Sequence, residues 1–145
     1  MTKKIMVLNG PNLNMVGIRE PGIYGSTSYK DMIEMIRKEA EKRGVEADCR
    51  QSNHEGDLLD WMQEAYFQKY EGIVINPGAY THTSIALADC VKAIAPLPVV
   101  EVHISDISKR EKFRQVSYEA PYCKAQIAGE GLQGYVHAMD VILGK

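Results

Sequence analysis

Short apolar runs alternate along this chain with segments in which apolar residues recur every three or four positions. Residues 5–8 read Ile-Met-Val-Leu, residues 73–75 Ile-Val-Ile, and residues 99–104 Val-Val-Glu-Val-His-Ile. Runs of this length bounded by turn residues are buried strands, and the three-to-four spacing is that of amphipathic helices. Met32, Ile33, Ile36 and Ala40 predict a helix over about 29–43, opened by Ser28 with Asp31 three residues on and ended by Gly44. Leu58, Leu59, Met62 and Ala65 predict a second helix ending near residue 70, Ile85, Ala88 and Val91 a third over 81–94, and a last helix covers about 132–143. Residues 45–50 alternate only weakly and are too polar for a central position, so they form an edge strand; a fifth strand falls near 122–128.

Strands alternating with helices imply an α/β fold: a parallel sheet with helices on both faces, joined by right-handed crossovers. Five units suit the doubly wound strand order 2-1-3-4-5, whose binding crevice lies between the first and third strands beyond their carboxyl ends. That places residues 9–24, 76–82 and 103–105 together, and these are also the most polar strand endings in the chain. At 145 residues the sequence is expected to form a single domain, 1–145, with a genuine core.

Residues 9–26 are the unusual stretch. About eighteen residues connect strand to helix where a few suffice, and long connections of this kind are binding loops or lids. The segment carries Asn9, Asn12, Asn14, Arg19, Glu20 and Tyr24 among glycines and prolines, the mix of a mobile arm bringing polar groups to a fixed floor.

Charge and composition narrow the partners. The net charge is −2, with acidic and basic residues interspersed, so no basic run exists to neutralise a series of phosphates and nucleic acid is not expected. Three widely spaced cysteines fit reduced thiols rather than a disulfide framework. The opening MTKKIMVLNG has an apolar run too short for a signal peptide, and nothing reaches transmembrane length, so a soluble cytoplasmic protein is expected. Gly129-Glu130-Gly131-Leu132-Gln133-Gly134 matches the dinucleotide fingerprint, but that motif needs a further strand with an acidic residue about twenty positions on, and eleven residues follow. It reads instead as a tight turn with close helix packing. The four histidines lack metal-ligand spacing, and no metal is expected.

Candidate chemistry lies in three places. Arg19 beside Tyr24 can lower a phenol pKa from about 10 and make the phenolate a usable base, although a tyrosine in such a loop can equally pack its ring on the rim. Period two puts Glu101 and His103 on one strand face, where the carboxylate can orient the imidazole and favour its protonated form as a proton donor. Asn76-Pro77-Gly78 precedes a helix capped at Thr83 or Ser84, whose N-terminus suits an anion. Arg114, by itself, is a solvated charge. Together these groups fit removal of a proton beside a carbonyl with loss of water.

NGPNLN (9–14), REPGIYGS (19–26), QSNHEG (51–56), INPGAYTHTS (75–84), PVVEVHIS (98–105) and REKFRQVSY (110–118) together resemble the type II 3-dehydroquinate dehydratases over nearly the whole chain. The chain departs from that pattern at 106–109 and 115–116, which flank Arg114 without replacing it. The resemblance implies a flavodoxin-like fold and conversion of 3-dehydroquinate to 3-dehydroshikimate by anti elimination through an enolate, without metal or organic cofactor, in the shikimate pathway or in quinate breakdown. It implies that Tyr24 takes the C2 proton, that Arg19 lowers its pKa and clamps a closing lid, and that Asn12 with an ordered water stabilises the enolate. His103, oriented by Glu101, would protonate the departing C1 hydroxyl. Asn76 and the backbone amides of Ile104 and Ser105 would hold the substrate carboxylate, and Arg114 and His82 the ring hydroxyls. Asp89 would reach in from a neighbouring subunit, within trimers assembled into a dodecamer. The alternative reading is a non-catalytic binding module of the same fold, holding flavin or accepting a phosphoryl group.

Overall fold

The alternation expected of buried strands is realised in one five-stranded parallel sheet. The computed structural model describes residues 2–18 and 27–145, so Arg19, Glu20 and Tyr24, in the later part of the expected mobile arm, lie outside the described residues. The strands are β1 (Lys4–Asn9), β2 (Glu46–Gln51), β3 (Gly72–Asn76), β4 (Val99–His103) and β5 (Ala125–Ala128), in the order β2-β1-β3-β4-β5. The helices are α1 (Tyr29–Lys42), α2 (Glu55–Phe67), α3 (Ile85–Ala93) and α4 (Gln133–Leu143). Strand order and the edge position of β2 are those the hydrophobic pattern predicts.

Alternate side chains of the central strands feed two cores. Ile5, Val7, Val74, Val100 and Val102 pack with Met32, Ile33 and Ile36 of α1 and Tyr135, Ala138 and Met139 of α4. Met6, Leu8, Ile73, Ile75 and Val99 pack on the other side with Leu58 and Met62 of α2 and Leu87 and Val91 of α3. Each such large apolar side chain, fully buried, contributes about 1.5–3 kcal/mol, which is what lets the strand ends carry polar groups. The start of α1 is capped as its sequence suggests, with the Ser28 hydroxyl accepting from the Asp31 amide at 3.1 Å.

Two boundaries differ from the sequence expectation. The helix expected over 81–94 starts later: Gly78–His82 is a 3₁₀ turn and α3 begins only at Ile85, with Ser84, one of the two expected caps, as its N-cap, accepting from Leu87 N at 2.9 Å. Ser84 also donates to Glu55 of α2. Ile85 is therefore 61% exposed, since at the first helical position it points away from the face carried by Leu87, Ala88 and Val91. The fifth strand is shorter than expected because Ala120–Tyr122 forms another 3₁₀ turn.

The loops after β1 and β3 touch. Gly10 N donates to Asn76 O at 2.8 Å, and a Cβ at Gly10 would lie 2.5 Å from the Pro77 carbonyl oxygen, so only glycine allows this approach. The glycine turn before α4 packs as the sequence suggests. Gly129 and Gly131 adopt φ of 79° and 62°, and a Cβ at Gly134 would meet Val102 at 3.3 Å.

Candidate active site

In-register pairing sets Asn9 beside Asn76 at the carboxyl ends of β1 and β3. Tyr135 of α4 ties them together: its hydroxyl donates to Asn9 Oδ1 at 2.6 Å and accepts from Asn76 Nδ2 at 3.0 Å. Burial pushes the Tyr135 phenol far up, so it serves as a neutral hydrogen-bonding post. Asn76 Oδ1 accepts from Gly78 N at 3.2 Å, which leaves the amide little freedom to turn.

Asn12 sits just past β1 in the left-handed region, φ 69°, which asparagine tolerates better than most residues. Its backbone N–H donates to Asn53 Oδ1 at 3.0 Å, and the same oxygen accepts from Gln51 Nε2 at 3.2 Å. Tyr80 in turn donates to Asn53 O at 2.7 Å. The loop after β2 thus fixes the loop after β1.

On β4 the pleat brings Glu101 and His103 to the same face. His103 Nε2 is 2.6 Å from Glu101 Oε2, and Nδ1 is the ring nitrogen left for a ligand. Glu101 is completely buried yet well supplied with donors: Gln126 Nε2 reaches Oε2 at 2.7 Å and Ser117 Oγ reaches Oε1 at 2.6 Å. Burial alone would raise its pKa; the hydrogen bonds from His103, Ser117 and Gln126 outweigh that and hold the carboxyl below its ordinary value. Beyond β4, the Ile104 and Ser105 carbonyls accept from Gly131 N and Gly129 N, both at 3.1 Å. Their amides are then what this strand end can offer an anion.

These strand ends surround a cavity of about 160 Å³. Asn12, Asn76, His82, His103, Ile104, Ser105 and Arg114 all line it, as the sequence reading expects of one site. His82 Nδ1 lies 2.7 Å from the Val116 carbonyl, so Nδ1 carries the proton and Nε2 remains for a ligand. Arg114 Nε donates to Glu111 at 2.7 Å while its guanidinium lies 4.9 Å from the Phe113 ring centroid. Glu101 stands behind His103 and does not line the cavity. Asp89 is on the exposed side of α3, also away from it. Among the described residues no group of three or more His, Cys, Asp or Glu side chains could hold a metal ion.

Arg110 also lines the cavity although the sequence reading gave it no role of its own; its Nη1 donates to Ser105 Oγ at 3.3 Å. Tyr135, within the last expected helix, was not singled out either. Glu119 gave no signal at all, yet it is 1% exposed, and neither carboxyl oxygen receives a hydrogen bond among the described residues. Burial, and after it the charge of Glu101, push its pKa from 4.5 to about 9. The folded chain therefore keeps a proton that the unfolded chain releases, so this contribution to stability is complete below 4.5 and is lost as pH rises towards about 9. Across that window wild-type stability is expected to fall relative to Glu119→Gln by up to about 1.4 kcal/mol per pH unit. Denaturation of both proteins in a pH series checks this, and parallel curves would mean that Glu119 is ionised in the fold.

The model of the family described as dehydroquinase class II matches residues 3–143. The chain belongs to this family. It is 49% identical over 140 residues to a 3-dehydroquinate dehydratase of Lachnospira eligens, covering 97% of this chain and 95% of that protein. It is 52% identical over 143 residues to one of Mesorhizobium japonicum, covering 99% of each. The crystal structure of a type II dehydroquinase from Butyrivibrio crossotus superposes with a TM-score of 0.96 at 48% identity and 98% coverage of both chains. The dehydroquinase fold is thus shared down to the strand order that shapes the cavity.

Proposed function

We propose that this dehydroquinase removes water from 3-dehydroquinate to give 3-dehydroshikimate, working as one catalytic domain by anti elimination through an enolate. The observation that carries the reading is the buried Glu101–His103 pair opening onto a cavity that Asn12, Asn76, His82 and Arg114 also line. Glu101 orients the imidazole, and His103 Nδ1 delivers the proton to the departing C1 hydroxyl. Asn12 stabilises the enolate oxygen through a water. Asn76 and the amides of Ile104 and Ser105 hold the carboxylate, while His82 Nε2 and Arg114 bind ring hydroxyls. Tyr24, with its pKa lowered by Arg19, takes the C2 proton, and Arg19 holds the segment over the substrate.

Asp89 completes the site from a second copy, within trimers that build a dodecamer. What supports this is the exposed face of α3: Ile85 lies one turn before Asp89, and Phe113 and Val116 are exposed beside the cavity residues Arg114 and His82. The chemistry needs no metal or organic cofactor, and among the described residues no helix is long and apolar enough to cross a membrane. We assign the enzyme to the cytoplasm, in the shikimate pathway or quinate breakdown.

The test is ultraviolet absorbance after mixing the protein with 3-dehydroquinate. The conjugated enone of the product is expected to appear at the same rate with and without a chelator. Binding of the compound without enone formation would instead assign the chain to the non-catalytic binding proteins of this fold.

A further inference from the structure

We infer that Glu119 is a positioning residue whose carboxylic acid O–H donates to the Glu101 carboxylate, so that two buried glutamates share one negative charge behind His103. Glu119 heads the Ala120–Tyr122 turn, is sealed from solvent, and among the described residues has no donor on either oxygen. An ionised carboxylate cannot be kept in such a place without donors or a counter-charge. A protonated one has an O–H to place, and Glu101 belongs to the same buried corner: Ser117 Oγ joins its Oε1 to the amide of Ala120, the residue that follows Glu119.

The surroundings leave that proton nowhere better to go. The titratable groups around the pair are Glu101 and His103 on β4 and the Cys123 thiol, which burial, then Glu101 and Glu119, keep protonated. Ser117 and Gln126 face Glu101 as neutral donors. Ser117 Oγ accepts from Ala120 N at 3.1 Å, which helps aim its own hydrogen at Glu101 Oε1. Among the described residues no ion pair to Glu119 is found. A carboxylate has about four acceptor positions; His103, Gln126 and Ser117 occupy three, and the Glu119 O–H fills the fourth. Held on every side, Glu101 cannot swing away from Nε2 of His103. Loss of the Glu119 proton sets two anions against each other and loosens that alignment.

The kinetic consequence rests on the proposed dehydration; the shared proton does not. Infrared spectra of the intact protein are expected to show, near neutrality, a carbonyl band of a protonated carboxylic acid that shifts in heavy water. It should vanish as pH passes about 9 and be absent from Glu119→Gln. In turnover, Glu119→Leu, which removes the donor, should lower kcat about tenfold with little change in KM. Glu119→Gln, which keeps an N–H donor, should restore most of that loss and remove the alkaline inflection that Glu119 adds to the wild-type profile. Absence of the band, or an alkaline limb identical in wild type and Glu119→Gln, overturns the inference. If wild type yields no enone, the proposed reaction fails and the infrared band alone decides the shared proton.

Discussion

Replacing His103 with alanine is expected to lower kcat by about 10²–10⁴-fold while KM changes little. The imidazole joins two environments: Nε2 is committed to Glu101 at 2.6 Å, and the ring borders the cavity. Expelling hydroxide from carbon without protonation is the costly part of a dehydration, and His103 is the cavity-lining side chain held by a buried carboxylate. The carboxylate keeps Ser117 and Gln126 as donors in the variant, so the fold is expected to survive and the loss to appear in turnover. Steady-state kinetics beside a denaturation curve separates the two effects. A fall in KM-governed binding with kcat intact would move the acid elsewhere and leave His103 as a binding group.

Tyr24→Phe is expected to cost a similar factor, about 10²–10⁴ in kcat, with substrate affinity retained. The described lining of the cavity includes asparagines, a serine, two arginines and two histidines, but no carboxylate, lysine or tyrosine. His103 is the proposed acid, and Nδ1 of His82 is held by the Val116 carbonyl. The proposed base for the C2 proton is Tyr24, in the segment between the described stretches and five residues from Arg19. Calorimetric binding of 3-dehydroquinate should be close to wild type, because phenylalanine removes only the hydroxyl. If Tyr24→Phe keeps the wild-type rate while His82→Ala loses it, the base is His82.

Much of this arrangement is legible before any coordinates. Period two in Val99–His103 placed Glu101 and His103 on one face, and the strand order followed from apolar runs separated by helical periods. Those signals are local and repeat, so they survive into the fold. The misplaced start of α3 shows where local reasoning stops. Thr81 and His82 are compatible with a helix, but Thr81 is buried, its carbonyl accepts from Tyr118 N at 3.2 Å, and the chain turns once before Ser84 caps the true helix. A tertiary hydrogen bond decided between two locally acceptable conformations.

Non-local partners account for the rest. Nothing in the spacing of Asn9, Asn76 and Tyr135 says that one hydroxyl bridges two strand ends, because the bridge spans 126 residues. Glu119 follows Ser-Tyr with nothing in its neighbours to single it out, and only burial beside Glu101 turns it into an acid that keeps its proton. The amino-acid pattern by itself determined the α/β architecture, the position of the crevice and the residue types around it, since hydrophobic periodicity and polar strand endings are properties of short windows. Tertiary structure alone decided which carboxyl is charged, which asparagines are locked and which arginines reach the cavity. Desolvation and hydrogen-bond geometry depend on what the whole fold packs around each group, and no short window of sequence contains that information.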